Sequence, residues 1–476
     1  MKKTFGNIIL NSLYQVFIIL IPIITIPYVS RVIGPASLGI NSYYTAISLF
    51  LGYFILMGIA QLGPKEISQA NIDERNTTFF ELWSIQVLSG IVVLIGYLIS
   101  ILFSKNSFFL TLQIPYLLSV ILDISWFYIG IQEMKTVIAR NVFIKCLSLI
   151  LIFIFVKHSK DLWIYMLINS TSTLLSNLFF WIGLKKNLNN EKSIGFKIFF
   201  GKKYFRNALI LLIPQMAAQM YTTVDKIVVN HFTSETELSF YDQSQKMARI
   251  ILAIITSISV VLMPVIAKYD NENNQKSIVK VLKLSLDIMC SSSFLFMYVL
   301  ILNSESFVPW FFGSSFSPMV KNMQIASLII LPISIGSVFS NQFALAKGYY
   351  KAYSIPYIVG AIFNPILNIV LVPIFHSVGA SISLLITECM VCILRIFLVR
   401  KNLNLKYFLS DYSRLFITFI FSLFIGNFIY LELKSAILTI LINGFIELIL
   451  FIVLIFAFNR PFFIRNREII SGFLKK

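Results

Sequence analysis

Charge is scarce in this sequence: Asp, Glu, Lys and Arg make up 13% of its 476 residues, against roughly a quarter in soluble domains. A water-soluble fold of this length is thereby excluded. Cysteine is nearly absent, and Cys146, Cys290, Cys389 and Cys392 all lie inside apolar runs, which excludes a disulfide framework. The pair Cys389-x-x-Cys392 has no second pair or nearby histidine, so it reads as small buried apolar residues, neither metal ligand nor redox centre. Histidine is just as rare: His158, His231 and His376 fall in turns between apolar runs without metal-like spacing, and no metal or cofactor is expected. Long polar stretches are missing, and with them any glycine-rich phosphate loop, nucleophile elbow or acid pair on an exposed loop. No catalytic domain fits outside the apolar runs, so the chain reads as no enzyme.

What remains is apolar. Hydrophobic residues make up 58% of the chain, with 45 Phe and 21 Tyr, and the mean hydropathy is +0.83. Proline is placed inside apolar runs, a usage tolerated where neighbouring helices satisfy the freed backbone groups. One crossing takes about 20 residues, and that ruler counts fourteen, from a first run near 7–29 to a last near 435–457. The fold class is therefore all-α, a polytopic membrane protein. Met1-Lys2-Lys3 resembles the start of a signal peptide, but the run behind it is long, holds Pro22 and Pro27, and is followed by thirteen more. It reads as a retained first helix.

The net charge of +18 does not point to nucleic acid, because the bases sit in short gaps between apolar runs and build no basic face. They report orientation. With the N-terminus in the cytoplasm, Arg31, Lys105, Lys157, Lys160, Lys246, Arg249, Lys321 and Lys434 fall outside, Lys226 lies within a span, and every other Lys and Arg falls inside. The positive-inside rule then places both termini in the cytoplasm.

The basic stretch 185–206 is the longest connection and divides a six-helix lobe, 1–184, from a second, 207–400, leaving two further helices and a tail in 401–476. At an offset of 200 residues Asn7 meets Asn207, Gln15 meets Gln215, Leu38 meets Leu238 and Pro64 meets Pro264. Such pairing is consistent with a parallel repeat about an axis along the membrane normal. The largest outer connection runs over 303–320 and carries Trp310-Phe311-Phe312.

Polar residues recur at helical spacing in four runs. They are Asn7, Asn11 and Gln15 in the first, Asn41, Thr45 and Ser48 in the second, Gln215, Gln219, Thr222 and Lys226 beside Asp225 in the seventh, and Gln245, Arg249 and Thr256 in the eighth. Hydrocarbon penalises such groups, so the stripes either glue helices together or line a central cavity. On the inner side Asp123, Arg140 and Lys145 sit in adjacent antiparallel runs, Asp123 and Lys145 at similar depth; the first reading is a structural ion pair, the second a cavity with Arg140 as surplus cation. Glu388 and Glu447 are deep isolated acids, and with Asp123 they are the candidates for proton or sodium coupling, or else simply neutral buried groups. Lys276, Lys280, Lys283 and Asp287 form a stripe at an inner helix end, where anionic lipid headgroups are the expected contact.

The stretches Asn11-Ser12-Leu13-Tyr14-Gln15 and Ile26-Pro27-Tyr28-Val29-Ser30-Arg31-Val32-Ile33-Gly34-Pro35-Ala36-Ser37-Leu38-Gly39-Ile40 resemble Wzx-type oligosaccharide flippases of the multidrug/oligosaccharidyl-lipid/polysaccharide (MOP) exporter superfamily. Val224-Asp225-Lys226-Ile227, Leu238-Ser239-Phe240-Tyr241-Asp242 and Met263-Pro264 extend the resemblance; Ile33 and Ser239 stand where Leu and Gly are commoner. The resemblance implies a two-lobed bundle in a bacterial plasma membrane that passes undecaprenyl-diphosphate-linked oligosaccharide from the inner to the outer leaflet, alongside polysaccharide polymerase and assembly proteins. Arg31, Lys226 and Arg249 would then form an outer cationic group and Arg140 and Lys145 an inner one. A cation-coupled drug exporter of the same superfamily would favour an acidic cavity, and a membrane glycan polymerase a long outer loop.

Overall fold

A computed structural model describes residues 2–188, 202–409 and 412–459; most of the basic stretch 185–206 and the tail beyond 459 lie outside the described residues. They form two compact units, Met1–Ile227 and Val228–Lys476, and no strand occurs among the described residues. Among the described residues, ten helical segments are long and apolar enough to cross a membrane. Fourteen crossings remain the expectation from the sequence.

The first unit contains α1 (Lys2–Leu56), α2 (Ile59–Gln69), α3 (Ile72–Phe103), α4 (Ser107–Thr111), α5 (Ile114–Ile121), α6 (Ser125–Gly130), α7 (Met134–Phe155), α8 (Leu162–Asn187) and α9 (Lys202–Phe232); the division between units falls within α9. At 1.5 Å per residue, the 55 residues of α1 would run about 80 Å, far beyond the ~30 Å of hydrocarbon. The helix is broken at Gly34, whose φ of 76° and ψ of 175° only glycine adopts without strain. This is the glycine of the Ile33-Gly34-Pro35 motif.

The core of this unit is aromatic. Trp126 is 1% exposed and stacks on Phe79 at 5.5 Å, Phe79 meets Phe127 at 5.1 Å, and Trp83 meets Trp181 at 4.8 Å. Hydrocarbon removes the usual driving force between helices, so such van der Waals packing and the hydrogen bonds between helices carry the association. Close approach is visible at Gly63 on α2, where an added Cβ would sit 2.5 Å from the Trp126 ring. Gly63→Ala is therefore expected to destabilise the protein by about 1–3 kcal/mol through overpacking, read as a lowered thermal midpoint in detergent; an unchanged midpoint would show that Trp126 is free to shift.

The second unit contains α10 (Glu235–Asn271), α11 (Gln275–Phe312), α12 (Val320–Leu328), α13 (Ile330–Ser337), a π-helical stretch Val338–Leu345, α14 (Tyr350–Val399), α15 (Leu405–Leu409), α16 (Tyr412–Ile429) and α17 (Ala436–Phe458). The 50 residues of α14 break at His376, φ 53°. The break is pinned by Ser377, whose N–H and hydroxyl both donate to Glu237 of α10 and whose hydroxyl accepts from Asn322 of α12 at 2.9 Å.

Two expectations from the sequence are corrected here. Residues 303–312, read as the start of an outer connection, continue α11 to Phe312: Val308, Phe311 and Phe312 are buried, so aromatic packing extends the helix past the point where hydropathy alone ended it. Lys283 and Asp287 meet no headgroups. Both are fully buried and pair at 3.2 Å, because α15 and α16 cover that face: Lys283 donates to the Phe408 carbonyl at 3.0 Å, and the Tyr412 hydroxyl donates to Asp287 at 2.9 Å. Lys276 and Lys280 remain exposed.

Candidate functional site: a base-rich cavity in the first unit

The site begins with an interruption. Between α5 and α6, residues 122–124 leave the helical path without proline or glycine, and the carbonyls so freed would be costly in hydrocarbon. Side chains from other helices meet them. Gln86 of α3, fully buried, donates through Nε2 to the carbonyls of Val120, Ile121 and Asp123 at 2.7, 3.2 and 2.9 Å. Trp83 donates to Ile121 at 3.3 Å, Trp181 to Leu122 at 2.9 Å, and Trp126 to Asp123 at 3.1 Å. Asn177 of α8 donates to the Ser119 carbonyl at 2.8 Å. Replacing Gln86 by Leu removes one of these donors and is expected to cost about 1–3 kcal/mol. Thermal unfolding in detergent checks this; full retention of stability would mean that the indoles suffice.

The break places Asp123 on a cavity of about 370 Å³. Asp123 and Ser125 come from the break and Tyr14 from α1. Arg140, Asn141, Ile144 and Lys145 come from one face of α7, and Ser172, Thr173, Ser176 and Asn177 from one face of α8, each set repeating at three or four residues as a helical stripe must. The volume lies in the range of small-ligand sites.

Its electrostatics are dominated by Arg140. The guanidinium carbon lies 3.1 Å from the centre of the Phe180 ring, a cation–π contact, and Nη2 donates to Asn141 Oδ1 at 2.7 Å. That oxygen also accepts from Ser176 at 3.3 Å, and the Asn141 side chain is hydrogen-bonded to the Tyr14 hydroxyl. Arg140 Nε and Nη1 are buried without a hydrogen-bond partner. Asp123 turns Oδ1 to the Ser125 N–H at 2.8 Å. Two bases therefore face one acid, and the guanidinium keeps unused donors. Buried donors of a charged group are expensive to leave unpaired, so the site is chemically suited to an oxyanion, which a guanidinium engages with two donors at once.

Of the residues singled out from the sequence, the structure brings Asp123, Arg140 and Lys145 together around this cavity. None of the other described candidates lines it. Asn41 accepts from Thr45 within α1 at 3.4 Å, and Gln219 of α9 accepts from Thr222 at 3.4 Å and is bonded to Tyr53. Gln215 Nε2 is buried and unpartnered. Asp225 is fully buried and Lys226 half-buried, each with partners. Arg31 and Arg249 are exposed, Arg31 with a partner. Glu388 is buried and partnered. Glu447 is buried against Asn303 of α11. The side chains of Asn11 and Gln15 lie outside the described residues. Sequence reasoning passed over Tyr14, Asn141 and the α8 stripe; the run Asn169-Ser170-Thr171-Ser172-Thr173 followed by Ser176-Asn177 was the signal that marked it.

Comparison with known proteins gives the same frame. Residues 5–270 match the family model described as "Polysaccharide biosynthesis protein", and residues 211–374 match the MatE family model. A protein of Escherichia coli (strain K12) named "Putative O-antigen transporter" is 23% identical over 416 residues, covering 83% of this chain and 96% of that protein. Among solved structures, "Lipid II flippase MurJ, inward closed conformation" superposes with a TM-score of 0.75 at 16% identity, covering 95% of this chain and 99% of that one. A multidrug resistance MATE family transporter of the MOP superfamily, in an inward-facing conformation, gives 0.61 at 12% identity over 82% of this chain and 98% of the other. At these identities the two structures speak for the fold.

Proposed function

Because this chain belongs to the polysaccharide biosynthesis protein family, among the Wzx-type flippases of the MOP superfamily, we propose that it moves an undecaprenyl-diphosphate-linked oligosaccharide repeat unit from the inner to the outer leaflet of a bacterial plasma membrane. Both termini then lie in the cytoplasm, and the product is handed to a polysaccharide polymerase or assembly protein. The observation that carries the reading is the cavity of the first unit, where Arg140 has two buried, unpartnered donors beside Lys145.

The physics follows from the cargo. A diphosphate cannot enter hydrocarbon bare, because the cost of stripping its water is far larger than any single contact returns. Its polyprenyl tail has no such difficulty and stays in lipid. A cavity that offers a bidentate guanidinium, an ammonium and the Ser, Thr and Asn groups of α8 replaces water around an anionic head, and the hydroxyl and amide groups suit sugar hydroxyls. Opening that cavity to one leaflet and then the other moves the head while no covalent bond is made or broken. A cation-coupled drug exporter is disfavoured by the same balance of charge, two bases to one acid.

The direct cellular test uses a strain whose own repeat-unit flippase gene is deleted. Expression of this chain is expected to restore surface polysaccharide; no restoration from an inserted, folded protein with a matching glycan would contradict the assignment.

A further inference from the structure

The appended helices of the second unit carry a feature that flipping does not use. α17 buries one stripe, Thr439, Asn443, Glu447, Phe451 and Ile455, four residues apart and so on one face. Its first two polar members serve the turn from α16. Asn443 accepts from the Leu431 N–H at 3.0 Å and donates to the Leu431 carbonyl at 2.9 Å, and Thr439 accepts from the Leu433 N–H at 3.1 Å. Glu447, the third, serves no turn. It is 2% exposed and accepts on Oε2 from Asn303 Nδ2 of α11 at 2.7 Å, while Oε1 has no partner.

Two more buried oxygens surround it unpartnered: Oδ1 of Asn303 and the hydroxyl of Tyr298, both on α11. Tyr298 lies within electrostatic reach of Glu447; its ring sits 6.3 Å from that of Phe451, and the Gly426 backbone of α16 closes over its hydroxyl. α17 packs against α11 and α16. Among the described residues, Tyr430, which follows α16, shares a hydrogen bond with Ser306 one turn further along α11 at 3.0 Å, and the buried charges Lys283 and Asp287 of α11 pair with each other about 24 Å away along the helix. No base approaches. A carboxylate in hydrocarbon with one oxygen unpaired and no cation beside it is costly, and a small cation removes that cost.

We propose that Glu447 is a proton-binding site, with Asn303 and Tyr298 as the groups that shape it. Hard metal cations gather about six oxygens or more, and the side chains of Glu447, Asn303 and Tyr298 bring four, whereas a proton needs one. Binding converts Oε1 from an unpaired acceptor to a donor, and the neighbouring amide and phenol oxygens are the acceptors within the cluster. Release leaves a charged carboxylate whose bond from Asn303 is charge-assisted and stronger. The pair α16–α17 therefore has a neutral and a charged form of its seam with α11. This inference does not depend on what the chain transports.

The test is pH-dependent labelling of the full chain in lipid vesicles with dicyclohexylcarbodiimide, a lipid-soluble reagent that attacks protonated carboxyls, read by mass spectrometry of the peptide carrying Glu447. The adduct is expected to fall about tenfold per pH unit above the titration midpoint and to be unaffected by sodium at constant pH. Infrared difference spectra between acid and alkaline pH should show a protonated-carboxyl carbonyl band that is lost in Glu447→Gln, whose amide has the shape of the neutral acid. A band unchanged in that variant, an adduct yield independent of pH, or suppression by sodium would overturn the proposal. Failure to restore surface polysaccharide, in contrast, bears only on the flippase reading.

Discussion

Arg140→Gln is expected to slow movement of an anionic lipid-linked sugar by roughly one to two orders of magnitude while leaving the protein folded and inserted. Hydrogen bonds to a charged group contribute about 1.5–3 kcal/mol, and each 1.4 kcal/mol is a factor of ten. The variant keeps the Cβ and Cγ that pack in the cavity wall but removes the cation over Phe180 and the donors Nε and Nη1. Folding should not suffer, since a half-satisfied guanidinium is a burden on the empty cavity. Arg140→Lys should be intermediate, because an ammonium restores charge without the planar pair of donors. Transport in proteoliposomes decides between these outcomes, and full activity in Arg140→Gln would remove Arg140 from the site.

The second large effect concerns stability. Lys283→Met is expected to cost about 3–5 kcal/mol, because it leaves Asp287 charged and fully buried. The Tyr412 hydroxyl, which donates to Asp287, and the Phe408 carbonyl, which accepts from Lys283, show that the pair ties α11 to α15 and α16. Removing both charges in Lys283→Met/Asp287→Leu should recover much of the loss, since well-packed apolar residues often replace a buried ion pair without penalty. A double-mutant cycle of thermal midpoints in detergent measures the coupling. Additive losses would show that the two residues act independently.

These two sites also show what could be read from residues in order. The helices were legible because hydrocarbon imposes one length and one solution on the backbone, and the isolated charges Asp123, Arg140 and Lys145 were legible because lipid penalises each of them. The interruption at 122–124 was not, since no proline or glycine marks it; it exists because Gln86, Trp83, Trp181 and Asn177, all distant in sequence, supply donors to its carbonyls. Lys283 and Asp287 were visible as an i, i+4 pair, but whether that face meets lipid or protein is decided by α15 and α16, more than a hundred residues later. Asn303 was read as a loop residue for a related reason: hydropathy ends the run there, while the aromatic packing of Phe311 and Phe312 carries the helix on. Tyr14 and the α8 stripe escaped because Ser, Thr and Asn are equally at home as glue between helices.

The account rests on the first unit's cavity accepting an anion, and one comparison isolates that property. Two fluorescent lipid-linked sugars with the same glycan and the same tail, one joined through a diphosphate and the other through a neutral linker, are offered to the protein in vesicles, and their arrival in the opposite leaflet is timed. The diphosphate form should cross and the neutral form lag far behind, with the gap closing in Arg140→Gln/Lys145→Gln. Equal crossing of both lipids by the unaltered protein would contradict it.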